Sequence, residues 1–186
     1  MEKYMKPILC SLLILLLSSV AMGQTEPKVE IFGGYSYINI KPDFDQDRVS
    51  LNGWDSNIAV KLRSYLTMEA DFSGHYGNIN GMNVKMHTFV FGPRFGRHGK
   101  RYNWYGHSLY GISHISGDGG VLTPLIGVPA DTGFAFIPGG GGFEINLNQK
   151  LTYRVFQFDL LLTNLGNGVG QFHPRVSAGI VFSLRN

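Results

Sequence analysis

The segment PRVSAGIVFSL, residues 174–184, alternates between two kinds of side chain along its whole length. Strict alternation is the pattern of a β-strand whose two faces meet different surroundings. The segment therefore predicts a strand with one apolar face and one more polar face. The apolar face would carry Val176, Ala178, Ile180, Phe182 and Leu184.

Seven further strands are predicted upstream, and most of them alternate in the same way. Their ranges are 29–40, 53–62, 66–73, 84–95, 102–114, 134–146 and 151–162. Pro138 interrupts the sixth strand and is followed by four glycines. Because proline removes a ladder donor and glycine relaxes the backbone, a bulge or bend is expected there.

The predicted connections alternate in length along the chain. The short ones are 63–65, 96–101 and 148–150, and the long ones are 41–52, 74–83, 115–133 and 163–173. This sorting is typical of a membrane barrel with long outer loops and tight periplasmic turns. Hydrocarbon cannot satisfy an open sheet edge, so the sheet must close. The fold class expected is all-β: an eight-stranded antiparallel up-and-down transmembrane β-barrel.

The first residues have the three parts of a secretory signal peptide. A short basic start precedes an apolar run over residues 8–20, and small residues lead to a cut between Gly23 and Gln24. The expected organisation is a signal peptide over 1–23, a short segment over 24–28 and a barrel domain over 29–186. Cys10 is the only cysteine and lies within the signal, so neither a disulfide nor a thiolate site is expected.

The amino-acid composition favours a barrel whose outer surface is not in contact with water along its whole height. Only 16% of the residues are charged, against about 25% in ordinary soluble domains. The net charge of +3 is scattered, so nucleic acid is not an expected partner. Aromatic girdles at the two membrane interfaces are expected. They would use Tyr35, Tyr37, Trp54, Trp104, Tyr105, Phe143 and Phe182.

The polar faces of the strands are expected to line the barrel interior. Unpaired buried charge is costly, so these side chains should form an ion-pair network that leaves no wide channel. Its predicted members are Asp55, Lys61, Glu69, Asp71, Arg94, Glu144, Asp159 and Arg175. In the same register Arg154 would fall on the lipid face, where it would snorkel to the headgroups.

Catalytic patterns are thin in this sequence. His114 and Ser116 are similar to the His-x-Ser pair of outer-membrane lipid A deacylases, but Asp118 is too close and Glu144 is on another strand. A nucleophile needs a base and a third, orienting group. The other histidines are dispersed, and the alternating aspartates of the first loop lack the remaining EF-hand ligands. No enzyme activity, metal or cofactor is expected.

Several segments resemble the outer-membrane β-barrel domain family, the OmpA-type barrels, and especially the small acidobacterial-like versions. They are VEIFGGYSYI at Val29, LTMEADFSG at Leu66, FVFGPRF at Phe89, YGHSLYGISH at Tyr105, PGGGGFEINLNQKLTYRVFQFDLLLT at Pro138 and PRVSAGIVFSL at Pro174. The resemblance implies an outer-membrane location, insertion by the barrel-assembly machinery and contact with lipid and lipopolysaccharide. A peptidoglycan-binding domain, which follows the barrel in full-length OmpA-type proteins, is not expected here.

The expected function is a structural or surface-interaction role without catalysis. Long loops on a rigid scaffold usually carry recognition. Two alternatives stay open at this point. One is a narrow channel for solutes or hydrophobic compounds, and the other is a lipid A-modifying hydrolase that uses His114 and Ser116.

Overall fold

The chain forms a closed barrel of eight antiparallel strands in a computed structural model. The structure describes residues 29–41, 48–79, 82–117, 130–165 and 170–184. The strands are β1 (Val29–Ile40), β2 (Val49–Lys61), β3 (Leu66–Ile79), β4 (Met82–His98), β5 (Tyr102–Gly117), β6 (Ala130–Asn146), β7 (Leu151–Thr163) and β8 (Gln171–Leu184). The predicted fold class is confirmed, while the proposed cut between Gly23 and Gln24 lies outside the described residues.

Neighbouring strands in the chain are neighbours in the barrel, and β1 closes it against β8. Their ladder runs from Val29 opposite Leu184 to Ile38 opposite Arg175. The start of β1, the end of β8 and the three short connections therefore lie at one end, here called the turn end. The opposite end is called the loop end. No helix in the described part of the chain is long and apolar enough to cross a membrane.

One predicted connection is wrong. The segment 74–83 was expected to be a long loop, but β3 continues to Ile79, which pairs with Met82 at the start of β4. Only Asn80 and Gly81 separate the two strands, and Asn-Gly is a strong hairpin signal. The ladder continues past the apolar residues because backbone hydrogen bonds need no apolar side chain to form.

The outward face of the barrel is apolar and aromatic. No Asp or Glu occupies an outward position on the strands that the structure describes. Large hydrophobic side chains are exposed on every strand except β6, whose outward Phe134, Phe136 and Phe143 are half-buried. Such a surface suits hydrocarbon and not water, because soluble monomers rarely expose a continuous apolar patch this large.

Two bulges shift the facing of β6 and β7. On β6, Pro138 and Gly139 are both exposed, and the ladder to β7 is interrupted between Phe136 and Gly140. The expected irregularity at Pro138 is therefore present. On β7, the ladder to β8 shifts between Arg154 and Gln157, so both of these side chains point inward.

The bulge on β7 overturns the predicted facing of Arg154. Its side chain is fully buried, with 0% exposure, and does not lie on the lipid face. A bulge places one extra residue between two inward positions, so strict alternation counted through it gives the wrong face. The cost of burying this charge is offset by the carboxylate of Glu144, which lies 3.0 Å from the guanidinium.

The lumen is filled differently in its two halves. Toward the turn end it holds charged side chains, which are described below. Toward the loop end it holds a cluster of buried apolar side chains: Ile38, Ile40, Leu51, Val84, Met86, Val90, Leu109, Ile115, Ala135, Ile137 and Leu161. A barrel of eight strands is just wide enough for side chains to fill its interior. Both halves of this lumen are therefore packed.

Candidate functional site

A histidine joins two carboxylates at the centre of the charged half of the lumen. His107 on β5 places Nδ1 3.1 Å from Oε1 of Glu69 and Nε2 2.7 Å from Oδ1 of Asp159. A neutral imidazole has only one N–H, whereas both ring nitrogens here face carboxylate oxygens. The geometry therefore suits a cationic imidazolium that donates a hydrogen bond to each carboxylate.

Two arginines extend this arrangement to the turn end. Arg94 lies 3.5 Å from Glu69 and donates to both oxygens of Glu144, at 3.1 and 3.2 Å. Arg154 donates to Glu144 at 3.0 Å and to the Gln157 amide oxygen at 2.7 Å. These charge-assisted hydrogen bonds are short and are stronger than those between neutral groups.

The chain of contacts closes on itself. Gln157 donates from Nε2 to Oδ2 of Asp159 at 2.8 Å, which returns to the carboxylate bound by His107. The resulting cycle is called the ion-pair ring. Its members are Glu69, Arg94, His107, Glu144, Arg154, Gln157 and Asp159. It links five consecutive strands, β3 to β7, across the lumen.

Arg175 connects β8, the last strand of the barrel, to the ion-pair ring. It donates to Asp159 from Nε at 2.9 Å and from Nη2 at 2.7 Å. It also donates to Asp71 at 2.9 and 3.3 Å and to Ser73 at 3.0 Å. A guanidinium has five N–H donors, so these five contacts use all of them.

Aromatic rings cover the guanidinium groups. The Arg94 guanidinium lies 3.8 Å from the centre of the Tyr105 ring, and that of Arg154 lies 4.0 Å from the centre of Phe32. The Tyr105 hydroxyl donates to Gln157 at 2.6 Å. Tyr105 is only 7% exposed, so its predicted place in an outer girdle is wrong. It points inward because a polar tip and a ring face both find partners there.

The glycine run of β6 makes room for these side chains. A Cβ at Gly140 would lie 2.2 Å from Oδ1 of Asp159 and 2.4 Å from Nε2 of His107. A Cβ at Gly142 would lie 2.7 Å from the Tyr105 hydroxyl. Glycines on β6 therefore allow the long side chains of β5 and β7 to meet.

The structure brings most of the predicted interior residues together. Glu69, Asp71, Arg94, Glu144, Asp159 and Arg175 all lie in the ring or bind it. Asp55 is buried beside them but takes no part in these hydrogen bonds, and Lys61 is half-buried near the turn end. Sequence reasoning missed Tyr105, His107 and Gln157 as participants. The signal available for the first two was their spacing of two residues on one strand.

Of the residues predicted for the aromatic girdles, all except Tyr105 face outward. Tyr35, Tyr37 and Trp54 form one group together with Tyr76, whose hydroxyl accepts from Trp54 Nε1 at 3.4 Å. Near the turn end, Trp104 and Phe143 pack in a tilted arrangement with ring centres 4.3 Å apart. Rings with polar tips at both ends of an apolar belt are the arrangement that suits the two interfaces of a bilayer.

His114 and Ser116 both lie on the outward face of β5. His114 is exposed, and its Nδ1 lies 2.7 Å from the Thr132 hydroxyl. In a catalytic triad the histidine is paired with a carboxylate. His114 is paired with a hydroxyl instead. In the part of the chain that is described, no group of three or more His, Cys, Asp and Glu side chains is placed to hold a metal ion.

Comparison with known proteins found similar structures but no relatives by sequence. No family model matches the chain, and no curated protein matches it. Neisserial surface protein A aligns with a TM-score of 0.61 at 8% identity, covering 87% of this chain and 99% of that one. Ail of Yersinia pestis, in complex with the heparin analogue sucrose octasulfate, aligns with a TM-score of 0.55 at 16% identity, covering 85% and 100%.

The outer membrane protein OprG from Pseudomonas aeruginosa is a third match. It has a TM-score of 0.53 at 13% identity and covers 88% of this chain and 99% of that one. Each of these chains is therefore matched over nearly its whole length, strand for strand, at a level of identity that establishes the fold alone. The chain has the fold of the small eight-stranded outer-membrane barrels, in agreement with the OmpA-type resemblance seen in its sequence.

Proposed function

We propose that this chain is an outer-membrane barrel with a packed lumen that serves a structural or surface-interaction role and carries out no catalysis. The observation that carries the proposal is the distribution of polarity. The carboxylates of the described strands and the three buried arginines face the lumen, while exposed rings and aliphatic chains cover most of the outside. This is the reverse of a water-soluble barrel and matches the requirement of hydrocarbon.

Lipid and lipopolysaccharide are the partners proposed for the outer surface. Near the loop end, Lys85 and His87 of β4 and His114 of β5 face outward, and His87 lies directly opposite His114 in the ladder. Below them on the same strands lie Phe89 and Ile112. Basic groups above an apolar belt suit a phosphorylated lipid. The barrel-assembly machinery is the partner proposed for insertion.

A conducting channel is disfavoured by the packing of the lumen. The charged half is crossed by the ion-pair ring, and the loop half is filled by Leu109, Ile137 and Leu161, each with 0% exposure. The bulge at Pro138 does not supply a lateral route, because Ile137 beside it is buried against this cluster. We therefore expect at most small conductance steps.

A lipid A-modifying hydrolase is also disfavoured. His114 pairs with Thr132, and a hydroxyl cannot stabilise an imidazolium in the way that a carboxylate does. The outward position of Ser116 would allow contact with lipid but supplies no activated nucleophile.

Fractionation and conductance test the proposal together. The expressed chain should enter the outer-membrane fraction and run as a faster band on gels before boiling than after it. In planar bilayers the purified barrel should give no large, stable single-channel steps. A periplasmic product without a heat-dependent shift would overturn the membrane location, whereas a shifted band with large steps would overturn only the packed lumen.

A further inference from the structure

The buried carboxylate of Asp55 belongs to none of the ion pairs found in the described part of the lumen. Asp55 lies on β2, opposite Gly34 of β1 and Ser73 of β3, and is 1% exposed. Within the described residues, neither of its oxygens has a hydrogen-bond partner. Burying a polar group without a partner is unfavourable, and burying an unpaired charge is more so. This position therefore requires a further explanation.

The Arg175 guanidinium has no donor left for Asp55. Arg175 binds Ser73, the residue opposite Asp55, so its head lies at this level of the lumen. However, all five of its N–H donors are already taken by Asp71, Asp159 and Ser73. Any donor turned toward Asp55 would be lost to one of these partners.

The lysine of the same strand is too far away. Lys61 lies six positions along β2, which at about 3.3 Å per residue places its backbone about 20 Å from that of Asp55. A lysine side chain spans only about a third of that distance. Lys61 therefore offsets charge near the turn end and does not reach the level of Asp55.

The balance of charge in the lumen agrees with this deficit. Among the described residues, six carboxylates are buried, namely Glu30, Asp55, Glu69, Asp71, Glu144 and Asp159. They face three buried guanidinium groups and the imidazolium of His107, so two negative charges remain. Lys61 offsets one of them at most. One positive charge is still needed, and an unpaired carboxylate marks the place for it.

We infer that Asp55 binds a monovalent metal cation of the size of sodium or potassium, together with water, within the closed lumen. Other buried polar atoms without a hydrogen-bond partner near this level of the described lumen are Ser177 Oγ, Asn57 Nδ2 and His75 Nδ1, while Arg154 Nη2 has only its 3.0 Å contact with Glu144. The hydroxyl can ligate the cation, and the amide can donate to its water. A proton on Asp55 would neutralise the charge but would leave a second oxygen, the hydroxyl and the amide without partners.

Ion-dependent unfolding of the whole barrel tests the inference. Urea unfolding is followed in detergent micelles at constant ionic strength while sodium or potassium chloride replaces choline chloride, whose cation is too large to enter the packed lumen. Above the dissociation constant, the unfolding constant should fall about tenfold for each tenfold rise in the metal cation. An unfolding constant that does not depend on the cation overturns the inference.

Two variants separate the Asp55 site from general salt effects. Asp55→Asn should remove the dependence on the cation and should be more stable than the wild type in choline chloride, where the wild type buries an unpaired charge. Glu30→Gln, which alters a carboxylate 3.9 Å from Arg94, should keep the dependence. A dependence that persists in Asp55→Asn overturns the inference.

Crystals soaked in rubidium chloride give a readout that needs no variant. An anomalous peak beside the Asp55 carboxylate is expected. Its absence there, with a peak elsewhere or with none, overturns the inference.

Discussion

Gly140 offers the sharpest test of how the ion-pair ring is assembled. Replacing it with alanine adds a Cβ 2.2 Å from Oδ1 of Asp159 and 2.4 Å from Nε2 of His107, where ordinary contacts begin near 3.4 Å. Both atoms would have to move by about 1 Å, so the 2.7 Å hydrogen bond between them would be lost. A hydrogen bond to a charged group contributes about 1.5–3 kcal/mol. We expect Gly140→Ala to lower the free energy of unfolding by that amount.

Gly139 supplies the matched control for this substitution. It lies one residue away in the same bulge, and a Cβ there would meet nothing within 4 Å. Gly139→Ala should therefore change stability by less than about 0.5 kcal/mol, or raise it slightly by restricting the unfolded chain. Urea unfolding of both variants in lipid vesicles, followed by tryptophan fluorescence, measures the difference. Equal stabilities for the two variants would refute the idea that Gly140 makes room for the ring.

Three further predictions concern the lumen, the outer surface and catalysis. Arg175→Met should cost about 3–5 kcal/mol in equilibrium unfolding because it removes the guanidinium that binds Asp71 and one of the cations that bind Asp159, whereas Asp71→Asn should cost less because its amide oxygen still accepts one hydrogen bond. Phe91→Arg, in the middle of β4, should cost about 2–4 kcal/mol in vesicles, and Asn39→Arg, at the loop end, about 0–1 kcal/mol. Equal costs would contradict the membrane depth assigned to these residues. Ser116→Ala should leave the acylation of lipid A unchanged in mass spectra of expressing cells, and a change would revive the hydrolase.

The strands could be predicted because the two faces of a membrane barrel differ so strongly. The first strand matches its predicted range, Val29–Ile40, and the facing of β2, β3 and β8 agrees with their alternation. Period-two patterning is a local property, so each strand carries its own evidence. The charged interior could be inferred for the same reason, since charges at membrane depth on a strand of an outer-membrane barrel face the lumen.

The errors arise where local alternation stops being informative. Arg154 was assigned outward because a bulge is invisible to a count of two, and Tyr105 because a tyrosine suits either an interface or a packed lumen. The apolar half of the lumen was missed for a related reason. Leu109 and Ile137 have the same side-chain chemistry as residues that face lipid. Only the closed three-dimensional packing separates these two environments.

The contacts of the ion-pair ring could not be derived from sequence at all. Arg175 and Asp71 are 104 residues apart, and their meeting depends on the register of every ladder between β3 and β8. The role of Gly140 is equally non-local, because the atoms that it accommodates belong to two other strands. Alternation along the strands predicted most of the buried charges, with Arg154 as the exception, and only the barrel determines which of them pair.

The central claim is that the outer surface of the barrel faces lipid. Quenching of the two tryptophans by brominated lipids tests it most directly, because both tryptophans lie on that surface. Trp54 and Trp104 are the only tryptophans, and they are 43% and 59% exposed on the outward face. In vesicles, both should be strongly quenched by brominated acyl chains. A folded barrel whose tryptophans are quenched by iodide in water and not by bromolipid would contradict the membrane-spanning account.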